Sequence, residues 1–254
     1  MKSPEDVFEA LKAIGVRASL DALRALTAHL TKSRASPVEA LEQLVALERR
    51  ERDARNLARR TKYATLARFE TLDRFDWNHP RVIDRGLYEE LLELRFLEAG
   101  ENVLFRGQSG VGKTNLAQNL AHTALAKGRT VRFTTLAAAL ADLSRQESLP
   151  ALERRLRRYT NVDLLVLDEL GYLPCDGRSA DLLYTIISRR HECRSTVLTT
   201  NLAYKQWGTV FPGAACVAAL VDRFAQHCHV LDIDADSWRN KEGNTRTRKA
   251  AKRS

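Results

Sequence analysis

Through the first seventy residues apolar side chains recur at helical spacing, and beyond Gly100 they gather into short strand-like runs. Ser3-Pro4-Glu5-Asp6 supplies an N-cap, a first-turn proline and first-turn acids, followed by Val7, Phe8, Leu11 and Ile14 on one helix face and a stop at Gly15. A second helix is predicted from Ser19 to Leu30, with Leu20, Leu23, Leu26 and Leu30 on one side. Ser36-Pro37-Val38-Glu39 repeats the start signal for a long helix over 37–66. No large apolar residue occurs from Glu48 to Asn56, so this stretch is expected to lie in solvent. Phe75 to Glu98 reads as a connector, with a turn at Asp76-Trp77-Asn78-His79-Pro80 and a return to helix from Val82 to Phe96. The apolar runs 103–105, 131–133, 164–167, 196–198 and 230–233 then alternate with helical stretches, which predicts an α/β domain with a mainly parallel sheet.

Composition narrows the class. The 254 residues, 44% hydrophobic and 29% charged, suffice for one large domain or two modest ones. The sequence points to a helical domain over 1–70, an α/β domain over 71–240 and a basic tail over 241–254. Apolar runs fall short of the roughly 18 to 20 residues that span a bilayer, and the N-terminus turns polar too soon for a secretory segment. Membrane insertion and export are not expected, and a cytoplasmic protein is. Cys175, Cys193, Cys216 and Cys228 form no C-x-x-C pair, and His227-Cys228-His229 has no second ligand pair at zinc spacing.

The formal charge of +9 is concentrated. Residues 49–62 carry net +5 and residues 239–254 net +6, leaving −2 for the remainder. Such clustering suits a polyanion, with phosphate backbones the leading candidate. Arg49, Arg52, Arg55, Arg59 and Lys62 recur every three or four residues along one helix stripe, the candidate DNA-binding face. The alternative is a solvated face stapled by Glu48–Arg52 and Glu51–Arg55 pairs.

Gly107-Gln108-Ser109-Gly110-Val111-Gly112-Lys113-Thr114 satisfies the phosphate-loop pattern G-x-x-x-x-G-K-[ST], between a predicted strand and a helix with an apolar face from Leu116 to Leu125. Backbone N–H groups and the helix N-terminus suit phosphates, Lys113 the terminal phosphates, and Thr114 a magnesium ion. With Asn115, this run is the candidate nucleotide-binding segment. Fifty-five residues after Lys113, the apolar run 164–167 delivers Asp168 and Glu169 to a strand end, Asp168 for the Mg2+ shell and Glu169 to polarise water. Asn201, closing the strand Thr196-Val197-Leu198-Thr199-Thr200, is placed to bridge water and a γ-phosphate. Read alone, it is a turn former.

The phosphate loop, D-E-L-G-Y-x-P from Asp168, T-N-L at Thr200 with Trp207 after it, V-D-R-F at Val221 and S-W-R at Ser237 together resemble the IstB/DnaC branch of AAA+ ATPases, and within it the IstB-type helper proteins of insertion elements. The resemblance runs over essentially the whole chain. It implies a P-loop AAA+ core, helices on both faces of the sheet, preceded by a small helical N-terminal domain. Asn201 falls at its sensor 1 position, Arg223 looks like an arginine finger offered to a neighbouring subunit, and Arg239 resembles sensor 2. It further implies an ATP- and Mg2+-dependent ATPase that oligomerises with ATP at subunit interfaces, binds duplex DNA with weak sequence preference and partners the transposase of its own mobile element.

Gln108 and Ser109 stand where the family often has prolines, Asn115 where it often has histidine, and Thr200 where it often has serine; none removes a needed donor or carboxylate. Fifteen residues follow Arg239, too few for the helical lid of many AAA+ proteins. Other readings are a helicase loader favouring single strands, a nucleotide-gated module without turnover, and a small-molecule kinase. Glu169 and Arg223 argue against the module, and the arginine-rich helix has no role in the kinase.

Overall fold

The computed structural model describes residues 3–66, 68–171 and 176–238. The chain divides into two compact units, Met1–Arg60 and Thr61–Ser254.

The first unit contains α1 (Pro4–Ala13), α2 (Leu20–Ser33) and most of α3 (Pro37–Ala64). The three start signals are used as predicted. Ser3 caps α1 reciprocally with Asp6, Ser19 caps α2, and Ser36 exchanges bonds with Glu39 at the head of α3. Phe8, Ala18, Leu23 and Leu47 are buried together, with Leu11, Leu26 and Leu44 against them. Glu48 takes over where the apolar positions of α3 stop. Its carboxylate accepts the N–H groups of Arg17 (2.7 Å) and Ala18 (2.8 Å), so one side chain fastens the α1–α2 corner to α3.

The second unit continues with α4 (Arg85–Leu92), α5 (Arg95–Ala99), β1 (Asn102–Gly107), α6 (Lys113–Ala126), β2 (Val131–Thr135), α7 (Leu136–Ser144), α8 (Leu149–Thr160) and β3 (Leu164–Leu170). After these come α9 (Gly177–Arg190), β4 (Ser195–Thr200), α10 (Trp207–Val210), α11 (Val217–Ala225) and β5 (Cys228–Ile233). The strands form one parallel sheet in the order β2-β3-β4-β1-β5. The central strands β1, β3 and β4 are buried on both faces, which is why the runs 103–105 and 164–167 are wholly apolar, whereas the edge strands β2 and β5 admit Arg132 and Asp232. Leu104, Leu165, Leu167 and Leu198 pack under α7 to α11. On the opposite face Phe105 meets Tyr88 of α4, whose hydroxyl donates to Leu116 O of α6.

One predicted element changes. The helix expected from Val82 begins at Arg85, because Val82 makes an antiparallel bridge with Asp234 and Asp84 caps the helix through Leu87 N. The pattern also breaks at Leu94, whose φ of +66° separates α4 from α5.

Away from the strand ends that carry the candidate chemistry, Arg190 is fully buried and donates to the carbonyls of Tyr159, Thr160, Val162, Asp163 and Ser195 and to the Thr196 hydroxyl. Desolvation pushes its pKa down to about 9, and this ring of acceptors ties the α8–β3 turn to the start of β4.

Candidate functional site

β1 ends at Gly107 and α6 begins at Lys113, with the intervening loop at the C-terminal edge of the sheet, where parallel α/β folds place their ligands. Two glycines shape the loop. Gly110 and Gly112 have φ of +83° and +99°, and a Cβ at either would collide, at 2.4 Å with Ser237 Oγ and at 2.8 Å with the Phe75 ring. Backbone amides at the start of α6, with the positive end of its dipole, make this loop an anion cradle. Lys113 is buried and its Nζ donates to Gly107 O and Gln108 O, both at 2.7 Å.

The acids stand beside it. Thr114 Oγ1 donates to Asp168 Oδ1 at 3.1 Å, joining the head of α6 to β3. Asp168 is 3% exposed and also accepts from the Thr199 hydroxyl, while Glu169 is exposed and lines the cavity. That cavity, about 310 Å3, runs along the phosphate loop from Ser109 to Asn115. Its remaining walls include Phe75, Asp76, His79, Gln118, Thr199 and Trp238. The aromatic walls are packed in place: His79 meets Trp238 edge-on at 4.8 Å, and Phe75 meets Trp77 at 4.8 Å. Asn115 and Asn119 donate to Glu70 O at 2.7 and 2.9 Å, fixing a further part of the rim.

A clasp closes over the loop from both sides of the sequence. Arg81 pairs with Asp236 at 2.6 Å, His79 Nε2 is 2.8 Å from Asp236 O, and Trp238 N donates to Gly110 O at 3.0 Å. The segment before α4 and the segment after β5 are thereby joined to each other and to the phosphate loop.

The family model for IstB-like ATP binding proteins matches residues 9–246. The chain belongs to this family. Among its relatives, an insertion sequence IS232 protein of Bacillus thuringiensis subsp. berliner, named for ATP binding, is 36% identical over 205 residues, covering 81% of this chain and 82% of the relative. An insertion sequence IS21 protein of Pseudomonas aeruginosa, also named for ATP binding, is 37% identical over 191 residues, 75% of this chain and 72% of its own. In fold the chain resembles the DnaC helicase loader, with a TM-score of 0.53, 21% identity and coverage of 68% of this chain and 99% of that one. It also resembles AMPPCP-bound DnaA from Aquifex aeolicus, with a TM-score of 0.56, 21% identity and coverage of 67% and 52%. The P-loop AAA+ core with its parallel sheet is thus the fold of this IstB-like chain.

The remaining candidate residues are not all brought together. Asn201 follows β4 directly and is exposed; its Oδ1 would lie 3.3 Å from a Cβ at Gly171, beyond the acids rather than among the cavity's walls. Arg223, on α11, is half-buried away from the cavity. Its guanidinium donates to Ser188 Oγ and sits over the Tyr184 ring at 4.9 Å, both on α9. Among the described residues Arg223 makes no ion pair with the neighbouring carboxylates Asp222 and Asp232, the second of which binds Arg106 at 2.6 Å. Arg239 and the tail lie outside the described residues, as does 172–175 of the D-E-L-G-Y-x-P motif.

Along α3, Arg49, Arg52, Arg55, Arg59 and Lys62 are all exposed. Stapling is present as well: Arg52 lies 3.0 Å from Glu48, and Arg55 lies 3.7 Å from Glu48 and 3.8 Å from Glu51. Arg55 also donates to Arg17 O at 2.6 Å. Arg59 donates to Asn56 Oδ1 at 3.4 Å, so three of the five cations are partly committed within the protein.

Sequence reasoning missed Thr199, Phe75 and His79 as parts of the site. The first sat unremarked within the strand run, and the others in or beside a turn read as a connector. Trp238 was visible only as part of the S-W-R motif.

Proposed function

We propose that the chain is an ATP-dependent, DNA-binding regulator of transposition. The observation that carries this reading is the meeting of Lys113 and Thr114 on the phosphate loop with Asp168 and Glu169 on β3, in a chain whose relatives are insertion-sequence proteins named for ATP binding. Lys113, the loop amides and Asn115 hold the triphosphate, and the cavity beside Phe75, His79 and Trp238 accommodates the rest of the nucleotide. Thr114 Oγ1 and Asp168 Oδ1 are adjacent oxygen donors of the kind a hard divalent cation takes, so these two residues would hold Mg2+, which neutralises phosphate charge when bound. Glu169 polarises the attacking water, and Asn201 senses the γ-phosphate.

Arg223 serves the neighbouring subunit. A guanidinium remote from its own cavity can neutralise developing charge only in another protomer's, and such fingers are worth roughly 10³ to 10⁵ in rate. ATP therefore sits at subunit interfaces of a homo-oligomer assembled on duplex DNA, with residues 1–70 and the basic tail 241–254 contacting DNA or the partner. Arg239 acts as sensor 2. The partner is the transposase of the same mobile element, and the protein works in the bacterial cytoplasm, at the nucleoid when bound to DNA.

The test uses the purified full chain with labelled ATP and Mg2+, with and without duplex DNA. Retention of ATP, phosphate release and a DNA- and ATP-dependent complex with the transposase of the same mobile element are expected. Failure to retain or hydrolyse ATP would overturn the enzymatic reading, and preference for single strands over duplex would overturn the DNA component.

A further inference from the structure

We infer that Thr199 is a positioning residue that holds two consecutive acids at one cavity, Asp168 behind its Thr114 wall and Glu169 in the wall itself. The inference rests on the ATPase reading of the site but on a separate set of contacts. In a regular strand neighbouring side chains point to opposite faces, so an adjacent Asp and Glu cannot both address one ligand. Here the β3–β4 ladder runs regularly to Leu167↔Leu198 and resumes at Leu170↔Thr200, which leaves Asp168 and Glu169 opposite Thr199 alone. Two residues against one is a β-bulge, a device that re-aims side chains. Glu169 adopts φ of +66°, in the left-handed region that a glutamate seldom occupies. The outcome is a buried Asp168 bonded to Thr114, itself a wall of the cavity, and an exposed Glu169 that lines the cavity directly.

The bulge removes the Glu169 N–H from the regular ladder, and the Thr199 hydroxyl accepts it at 3.0 Å. The same hydroxyl donates its proton to Asp168 Oδ1. One O–H group has one proton and two lone pairs, so it serves both acids at once. Thr199 is 1% exposed and held in register by β1, where it faces Phe105, so the hydroxyl has little freedom to move. Valine would match its shape and do neither task; serine could do both.

The experiment compares the full chain with Thr199→Val and Thr199→Ser. For Thr199→Val, kcat for phosphate release falls about 10- to 100-fold, the size of a lost hydrogen bond to a charged group. Affinity for ATP without Mg2+ stays within about threefold, because the phosphate loop is untouched. Hydrogen exchange of the Glu169 amide, measured without nucleotide or metal, quickens at least about tenfold. Thr199→Ser restores both readouts to within about threefold. Undiminished kcat in Thr199→Val, equal losses in the valine and serine variants, or unchanged Glu169 exchange would each overturn the inference. If the valine variant does not fold, Thr199→Cys, a weak donor and acceptor, carries the same expectations. Absence of phosphate release from the unaltered chain would count against the ATPase reading instead, and Glu169 exchange would still decide the role of Thr199.

Discussion

Replacing Glu48 by alanine removes the carboxylate that accepts the N–H groups of Arg17 and Ala18 and pairs with Arg52 and Arg55. The Glu48 side chain is 14% exposed; water replaces its part-buried bond to Ala18 N poorly and its surface bond to Arg17 N in part. Losing the charged acceptor at one part-buried and one exposed amide costs about 2–4 kcal/mol together. A unit of this length has roughly 3–9 kcal/mol in all, so the α1–α2 corner should open well before the second unit does. Glu48→Gln keeps an acceptor oxygen and should lose about half as much. A pH dependence accompanies this. Burial raises the Glu48 pKa, but the amides of Arg17 and Ala18 and the Arg52 guanidinium outweigh it and hold the carboxyl below 4.5. A depressed folded pKa means that the contribution is complete above about pH 4.5 and disappears as pH falls through the folded value. The gap between the unaltered chain and Glu48→Ala should narrow over that range. Hydrogen exchange of α1 and α2 amides in the full chain measures the local opening. A change below about 1 kcal/mol at neutral pH, or a gap that widens on acidification, would refute the reasoning. Because Arg52 and Arg55 are released, Glu48→Gln should also bind duplex DNA more tightly at low salt, with a log–log salt slope steeper by about one.

Gly112→Ala places a methyl against the Phe75 ring at a φ of +99°, and nucleotide affinity should fall at least about tenfold in a fluorescent-nucleotide titration; retained affinity contradicts the close-packed loop. Glu169→Gln should bind ATP and hydrolyse it slowly, Arg223→Ala should bind without turnover, and mixing the two should raise phosphate release above either alone, whereas no gain removes the case for a finger acting in trans. If the stripe and the tail contact about five phosphates, affinity for duplex DNA should fall with a log–log slope near −4 to −5 between 50 and 200 mM salt, and salt-independent binding would exclude this mode.

The elements set by local pattern were readable in advance. The apolar runs at 103–105, 164–167 and 196–198 became neighbouring central strands because nothing in them tolerates solvent, and the glycines and lysine of 107–114 announced a phosphate loop by type and spacing. What escaped was set by partners far away in the chain. Val82 looked helical, yet its backbone is engaged by Asp234. The roles of Phe75 and His79 depend on the fold returning Gly112 and Trp238 to them. The bulge at Asp168 and Glu169 depends on which β4 residue lies opposite, and Glu48 looked like half of an i,i+4 pair although its shortest bonds reach back to residues 17 and 18. Periodicity carries no information about such meetings.

The clasp over the phosphate loop also bears on how the protein is born. His79 and Asp236, which it joins, are separated by 157 positions, and Trp238 is translated long after Gly110. A chain emerging from the ribosome therefore exposes the glycine turn well before the residues that brace it have been made. Tight grip on nucleotide should arise only after β5 has docked beside β1, which ties ligand capture to completion of the sheet.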